Sequence, residues 1–209
     1  MTLADRRDDG REVVSRHVIH AGKVFDVVGE HVRLDAADPE PVLREYVDHP
    51  GAVAVVALRE GPQGEEVALV DQYRHPIRAV LWEIPAGLLD VDGEDHLVAA
   101  QRELAEETDL QAGRWDVLVD YFTSPGGSDE SLRIYLARDV SEVPEAERHD
   151  RADEEREMTT RWVPLDEAVA AVHAGRLHNP SAVVGVLAAA SARAAGWETL
   201  RRADAPWFR

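Results

Sequence analysis

The sequence predicts a mixed α/β fold, an α/β/α sandwich around a mixed central sheet, preceded by an N-terminal β extension. Three observations carry that expectation. Ala52 to Leu58 is an unbroken apolar run, the pattern of a strand covered on both faces. Leu97, Ala100 and Leu104 recur at helical spacing, and a second helix follows Asn179-Pro180, so helices flank the sheet. Val24, Phe25, Val27, Val28, Val32 and Leu34 crowd the region before the central strand, which places further strands there. At 209 residues with 44% hydrophobic content, the chain has the size of one domain plus a small extension. The division falls at residues 1–49 for the extension and 50–209 for the main domain.

Residues 1–11 are charged and carry no element. Residues 12–21 and 23–34 read as strands joined by a turn at Ala21-Gly22. A polar, proline-containing connection at 35–41 leads to a short strand at 43–47 and a turn at His49-Pro50-Gly51. After the central run, Gly61-Pro62-Gln63-Gly64 is a hairpin loop and 67–73 pairs back. Residues 81–85 form a strand that delivers Ala86-Gly87 into a loop and then a helix. Strands follow at 115–122 and 132–137, separated by the turn-rich Ser124–Glu130. Residues 140–157 are acidic with little apolar content and read as an exposed loop. A strand at 161–164 precedes a helix capped by Asp166 and ended by Gly175. Asn179 caps the last helix, with Pro180 at its first position and Gly196 closing it.

The organising stretch is Gly87 to Leu110. Glu103, Glu106 and Glu107 sit at i, i+3 and i+4, so on a helix they share an arc about 100° wide. Carboxylates that close repel one another, and a divalent cation removes the penalty. The stretch resembles the Nudix box. Glu94, Arg102, Glu103, Leu104, Glu106, Glu107 and Leu110 match that pattern, seven fixed positions over 24 residues. There are two departures. Six residues instead of five separate Gly87 from Glu94, and Asp109 stands where the family has its last glycine. Asp109 follows the helix at a position that calls for left-handed backbone, which Asp tolerates better than most residues.

The resemblance implies a Nudix fold over about residues 50–195 and hydrolysis of a diphosphate by water. It implies magnesium as the ion, with manganese as the alternative. Glu103 and Glu107 are the metal ligands it points to, with Glu106 between them as ligand or catalytic group and the Ala86 carbonyl as a further donor. Gly87, Glu94 and Arg102 hold the motif together, Arg102 through Glu106, Glu83 or Glu94. The base in relatives of the ADP-ribose type is a glutamate on a loop outside the box. Here that points to Glu155, with Glu157 and Glu154 as substitutes. Pro125, fifteen residues past Leu110 in a Ser-Pro-Gly-Gly context, resembles the mark of the ADP-ribose subfamily, and Gly126 accompanies it. Arg44 and Arg74 match arginines that the family directs at substrate, and salt pairing with nearby acids is the plainer role for both. Phe25 or Tyr73 could stack on adenine, with core packing the expected fate of either. The N-terminal extension resembles one used elsewhere for a domain-swapped homodimer, which is therefore expected.

Composition narrows the classes further. Asp and Glu total 41 against 23 Lys and Arg, for a net charge of −18. Such a surface repels nucleic acid and anionic membrane, so neither partner is expected. There is no cysteine, which excludes disulfides, thiolate nucleophiles and cysteine-held zinc. No apolar run reaches a membrane span and the first residues lack an apolar signal region, so a cytoplasmic location is expected. The nine histidines are scattered and receive no role. The leading expectation is cleavage of ADP-ribose to AMP and ribose 5-phosphate. Three alternatives stand beside it: another nucleoside diphosphate sugar such as a GDP-hexose, a non-catalytic sensor on the same scaffold, and a plain acidic metal-binding protein.

Overall fold

The central strand β4 (Ala52–Gly61) sorts its side chains by parity. Ala52, Ala54, Val56 and Leu58 enter one apolar cluster, and Val53, Val55 and Ala57 enter another. A strand alternates faces at every residue, so the unbroken run means cover on both sides. Helix α1 (His96–Thr108) supplies Ala99, Ala100 and Leu104 to the second cluster. Helices α2 (Leu165–His173) and α3 (Pro180–Ala194) supply Leu165, Ala168, Ala182, Val186 and Ala189 to the first. Gly185 lets α3 approach closely, because a Cβ there would meet Val56 at 2.9 Å and Ile84 at 3.0 Å. The sandwich expected from the sequence is therefore the one observed. The computed structural model describes residues 3–8, 10–35, 37, 40–149 and 158–209.

Within residues 51–121 and 131–209, the described strands form one mixed sheet. Its members are β4, β5 (Gly64–Arg74), β6 (Ala79–Glu83), β7 (Ala86–Leu88), β8 (Leu110–Phe122), β9 (Ser131–Glu142), β10 (Thr160–Pro164) and β11 (Arg201–Arg202). The order is β10-β5-β4-β9-β8-β11, with β6 on β5 and β7 on β4. β4 and β9 run parallel, from Ala52 opposite Leu132 to Ala57 opposite Ala137. Two antiparallel partners also share β4. Its start pairs with β7 and its end with β5. The turn that carries the acidic motif grows from that split, where Val55 N donates to Pro85 O at 2.8 Å.

A second compact body holds residues 1–50 with 122–130. Its strands β1 (Glu12–Ala21), β2 (Asp26–Arg33) and β3 (Val42–Asp48) form an antiparallel sheet in that order. Val47 N donates to Gly127 O at 3.0 Å and Asp129 N to Val47 O at 3.2 Å, which ties the turn-rich segment to β3.

Several local expectations hold and others do not. Asn179 caps α3, accepting from Ala182 N at 2.9 Å. Gly175 and Gly196 adopt φ of 63° after α2 and α3. Asp166 is not the cap of α2. Pro164 takes that place, and Asp166 lies in the first turn, where its charge suits the helix dipole. β8 starts at Leu110, directly off α1, and not at Trp115. The loop expected from Val140 begins later, because β9 runs to Glu142 and Val143 is buried. β11 and a 3-10 turn at His75–Ile77 had no sequence expectation. No described helix is long and apolar enough to cross a membrane.

Leu104 is fully buried between α1 and the sheet. Leu104→Ala should cost about 2–5 kcal/mol, read as a lowered urea midpoint with an unchanged slope.

Candidate active site

The site begins with β7, which lays Ala86 and Gly87 antiparallel to Ala54 and Val53. Leu89 N donates to Gly51 O at 3.1 Å, and Glu94 N to Val91 O at 3.1 Å, which shapes the loop. Asp95 then caps α1, its Oδ1 accepting from Leu97 N at 2.9 Å. At the other end Asp109 takes φ 57° and ψ 28°, and its N–H reaches Ala105 O. The left-handed backbone expected at this position is present with Asp in place of Gly.

Along α1, Glu103 and Glu107 are buried, at 9% and 5% exposure, while Glu106 is half-buried. Buried carboxylates need partners. Ala86 N donates to Glu107 Oε2 at 3.0 Å. Glu103 lies against Gly87 so closely that a Cβ at 87 would fall on its carboxyl group. The box glycine is thus required by a side chain and not by its own dihedral angles. Arg102 forks onto Glu94 through Nε at 3.1 Å and Nη2 at 3.0 Å. Its Nη1 donates to Glu103 at 2.6 Å and to Glu106 at 3.1 Å. Hydrogen bonding to Glu94, then the charge of Glu103 and hydrogen bonds to Glu103 and Glu106, hold the guanidinium above its ordinary range against the opposing effect of burial. The same hydrogen bonds hold the Glu94 carboxyl below its ordinary value.

Glu83 is not a partner of Arg102. Arg74 takes it, with Nε to Oε1 at 2.8 Å and Nη2 to Oε2 at 2.6 Å. Glu83 is 2% exposed and stands three residues before Ala86. The sequence offers it only as a partner of Arg102, and its signal is a lone carboxylate inside the apolar Leu81-Trp-Glu-Ile84. Arg74 keeps 41% of its side chain exposed beyond that pairing. Phe25 and Tyr73 do not pack in the core, being 45% and 47% exposed.

The outer face of α1 borders a cleft of about 500 Å³, where Arg102, Ala105 and Glu106 face Glu147, Arg148 and His149. Arg148 is tied back by its Nε to Val143 O at 3.2 Å and by Nη2 to Glu142 at 2.9 Å. Glu154, Glu155 and Glu157 come next in the chain and lie outside the described residues. The return is fixed at Thr159, whose N and Oγ1 both donate to Asp71 Oδ1 at 2.7 Å. Those bonds hold the Asp71 carboxyl below its usual range. In the other compact body, Arg44, Tyr46, Phe122, Pro125 and Gly126 line a mostly apolar cleft of about 390 Å³.

Among the described residues, no three acidic or histidine side chains already surround one point as a cation cage. The donor set nonetheless suits a small hard cation. Magnesium is held by one or two carboxylates and draws its remaining ligands from water and phosphate. Glu103 and Glu107, held beside Ala86 and Gly87, supply such a pair of carboxylates.

A strand ending beside a buried carboxylate pair, with an arginine fork behind the pair, is a donor set suited to a cation that meets phosphate. The chain belongs to the NUDIX domain family, which matches residues 48–182, and is a hydrolase of that family. It is 43% identical over 197 residues to an ADP-ribose pyrophosphatase of Mycobacterium tuberculosis, covering 94% of this chain and 91% of that one. It is 33% identical over 175 residues to a methanol dehydrogenase activator of Bacillus methanolicus, covering 84% and 90%. A solved structure described as an ADP compounds hydrolase superposes with a TM-score of 0.71 at 17% identity, over 92% of this chain and 99% of that one. That last likeness bears on the fold.

The Glu94–Arg102 fork makes stability depend on pH. A carboxyl whose folded pKa is depressed stabilises the fold above its unfolded value and loses that contribution as pH falls through the folded value. Glu94→Gln should therefore unfold at lower urea than the parent at neutral pH. The gap should close as pH falls from 4.5 downward, as urea titrations at a series of pH values would record.

Proposed function

We propose that this protein hydrolyses the diphosphate bond of ADP-ribose, giving AMP and ribose 5-phosphate, with magnesium as the ion and manganese as its alternative. The observation that carries the reading is the burial of Glu103 and Glu107 against Ala86 and Gly87 of β7. The extent of similarity to the mycobacterial enzyme supports the choice of substrate. Glu103, Glu107 and the Ala86 carbonyl hold the ion, with Glu106 beside them. When bound, the ion neutralises phosphate charge and makes a coordinated water a stronger nucleophile.

The chain's own residues do the rest. Arg102 fixes the carboxylates by its hydrogen bonds to Glu94, Glu103 and Glu106. Glu155 takes the proton from the attacking water, with Glu157 and Glu154 as substitutes. Arg44 and Arg74 meet diphosphate oxygens, a task that suits the planar guanidinium fork. Pro125 and Gly126 form part of the substrate wall. Residues 1–49 act as the extension and 50–209 as the catalytic domain.

A product assay over ADP-ribose, other ADP-sugars and GDP-hexoses tests the substrate. ADP-ribose should rank first, and a place among the poorest substrates would shift the reading to another nucleoside diphosphate sugar. Glu155→Gln should lower kcat about 100-fold or more, the usual contribution of a general base. If Gln at 154, 155 and 157 each leaves turnover within tenfold, the base lies elsewhere.

The extension is proposed to join two copies of the chain. Its strands expose Val13, Val14, Val18, Ile19, Val42 and Leu43, each at 36–52%, and apolar groups at that density favour a covered surface. Sedimentation equilibrium should return twice the chain mass, and the doubly charged variant Val18→Asp/Leu43→Asp should return the chain mass. A parent that sediments as a monomer at micromolar concentration overturns the pairing.

A further inference from the structure

Residues 201–209 meet the first residue of α1 and pass beside Gly51, whose carbonyl holds the loop that precedes that helix. We infer that Trp207 is a positioning residue for the α1 carboxylates, a role that rests on the hydrolase reading above. The segment follows α3 and joins the sheet as β11, with Arg201 opposite Val117 and Arg202 opposite Asp116. Beyond that strand it is tied to β9. Arg133, whose side chain is 3% exposed, donates to Ala205 O at 2.8 Å and to Pro206 O at 3.0 Å. The same guanidinium forks onto Asp120 at 2.8 and 3.0 Å, and Arg201 adds a bond to Asp120 at 2.9 Å.

This anchor presents Trp207 to the start of the acidic helix. The Trp207 ring lies 4.9 Å from the Arg133 guanidinium carbon and meets the His96 ring edge-on at 4.9 Å. His96 is the first residue of α1, next to the cap Asp95. At the other end of the loop, Arg209 Nη1 lies 3.2 Å from where a Cβ on Gly51 would stand. The Gly51 carbonyl in turn accepts from Leu89 N at 3.1 Å. Register puts these parts on one rung, because Val53 pairs with Arg133 on one side and with Gly87 on the other. The beginning of α1 is thus met by one short segment fixed through a buried arginine that shares a rung with Gly87.

The contact answers a feature of this sequence. Six residues separate Gly87 from Glu94, one more than the box spacing. An extra residue lengthens the tether between β7 and the helix, so the first turn of α1, ahead of the Arg102, Glu103 and Glu107 contacts, can slide along its axis by up to about 1.5 Å. A displacement of about 1 Å at a catalytic constellation can cost 100-fold in rate. Trp207 against His96 opposes that slide without touching substrate or ion.

Trp207→Ala and Trp207→Phe in the full chain test this by two readouts. The first is hydrogen exchange followed by mass spectrometry, without substrate or added cation, which reports local opening. The second is steady-state hydrolysis of ADP-ribose. In Trp207→Ala, amides of residues 88–100 should exchange at least about tenfold faster while those of β4 and β9 keep their rates. The kcat should fall about tenfold with KM within threefold, and Trp207→Phe should recover most of both. Unchanged exchange at 88–100 overturns the role, as does equal acceleration throughout β4 and β9, the mark of general loosening. A raised KM with kcat intact overturns it too. Should Trp207→Ala not fold, His96→Ala removes the contact from the helix side and must show the same local acceleration, or the role is lost. Local acceleration in Trp207→Ala, with a parent protein that leaves ADP-ribose intact, would keep the contact's role and refute the substrate.

Discussion

Two carboxylates buried on adjacent turns of one helix are the constraint from which the site follows. Such charges lose hydration and gain stability only from hydrogen bonds and opposite charge. Here Glu107 is held by a backbone N–H, and Glu103 shares Arg102 with Glu94 and Glu106. Three carboxylates on a single guanidinium leave an excess of negative charge. A cation would relieve it, and the anchors hold the oxygens in place without one. The surface as a whole carries −18 and opposes an anionic substrate, so the site must reverse that field locally.

The fold supplies the anchors. β4 is shared by β7 at one end and β5 at the other, and Ile84-Pro85 carries the chain from β6 into β7. Gly87 lies in β7 beneath Glu103, where no side chain fits. The opposite face of β4 packs on α2 and α3, which stiffens the strand that pairs with β7. The acidic motif is thus carried from a strand buried on both faces, and bonds at Arg148 and at Thr159 fix the chain on that side of the sheet.

Much of this was legible in the sequence because it is local. The carboxylate spacing, the left-handed Asp109, the Asn179 cap and the doubly covered β4 each depend on residues within a few positions of one another. The misses share the opposite character. Arg74 meets Glu83 across a strand pair, and no spacing rule announces that contact. Val140 and Val143 sit in an acidic run, yet tertiary packing draws them into β9 and the core. Residues 201–209 carry no periodic pattern. Their order comes from Arg133, about 70 positions earlier. Asp166 has the right chemistry for a cap, yet the helix starts two residues sooner, with Pro164 at the cap position.

The central claim is that Glu103 and Glu107 form a prepared seat for a divalent cation. Isothermal titration of manganese into the substrate-free protein tests it most directly. The account predicts saturable uptake that weakens at least about tenfold in Glu107→Gln, with the fold unchanged by circular dichroism. Uptake equal in the parent and in Glu107→Gln, or none in the parent, would contradict it.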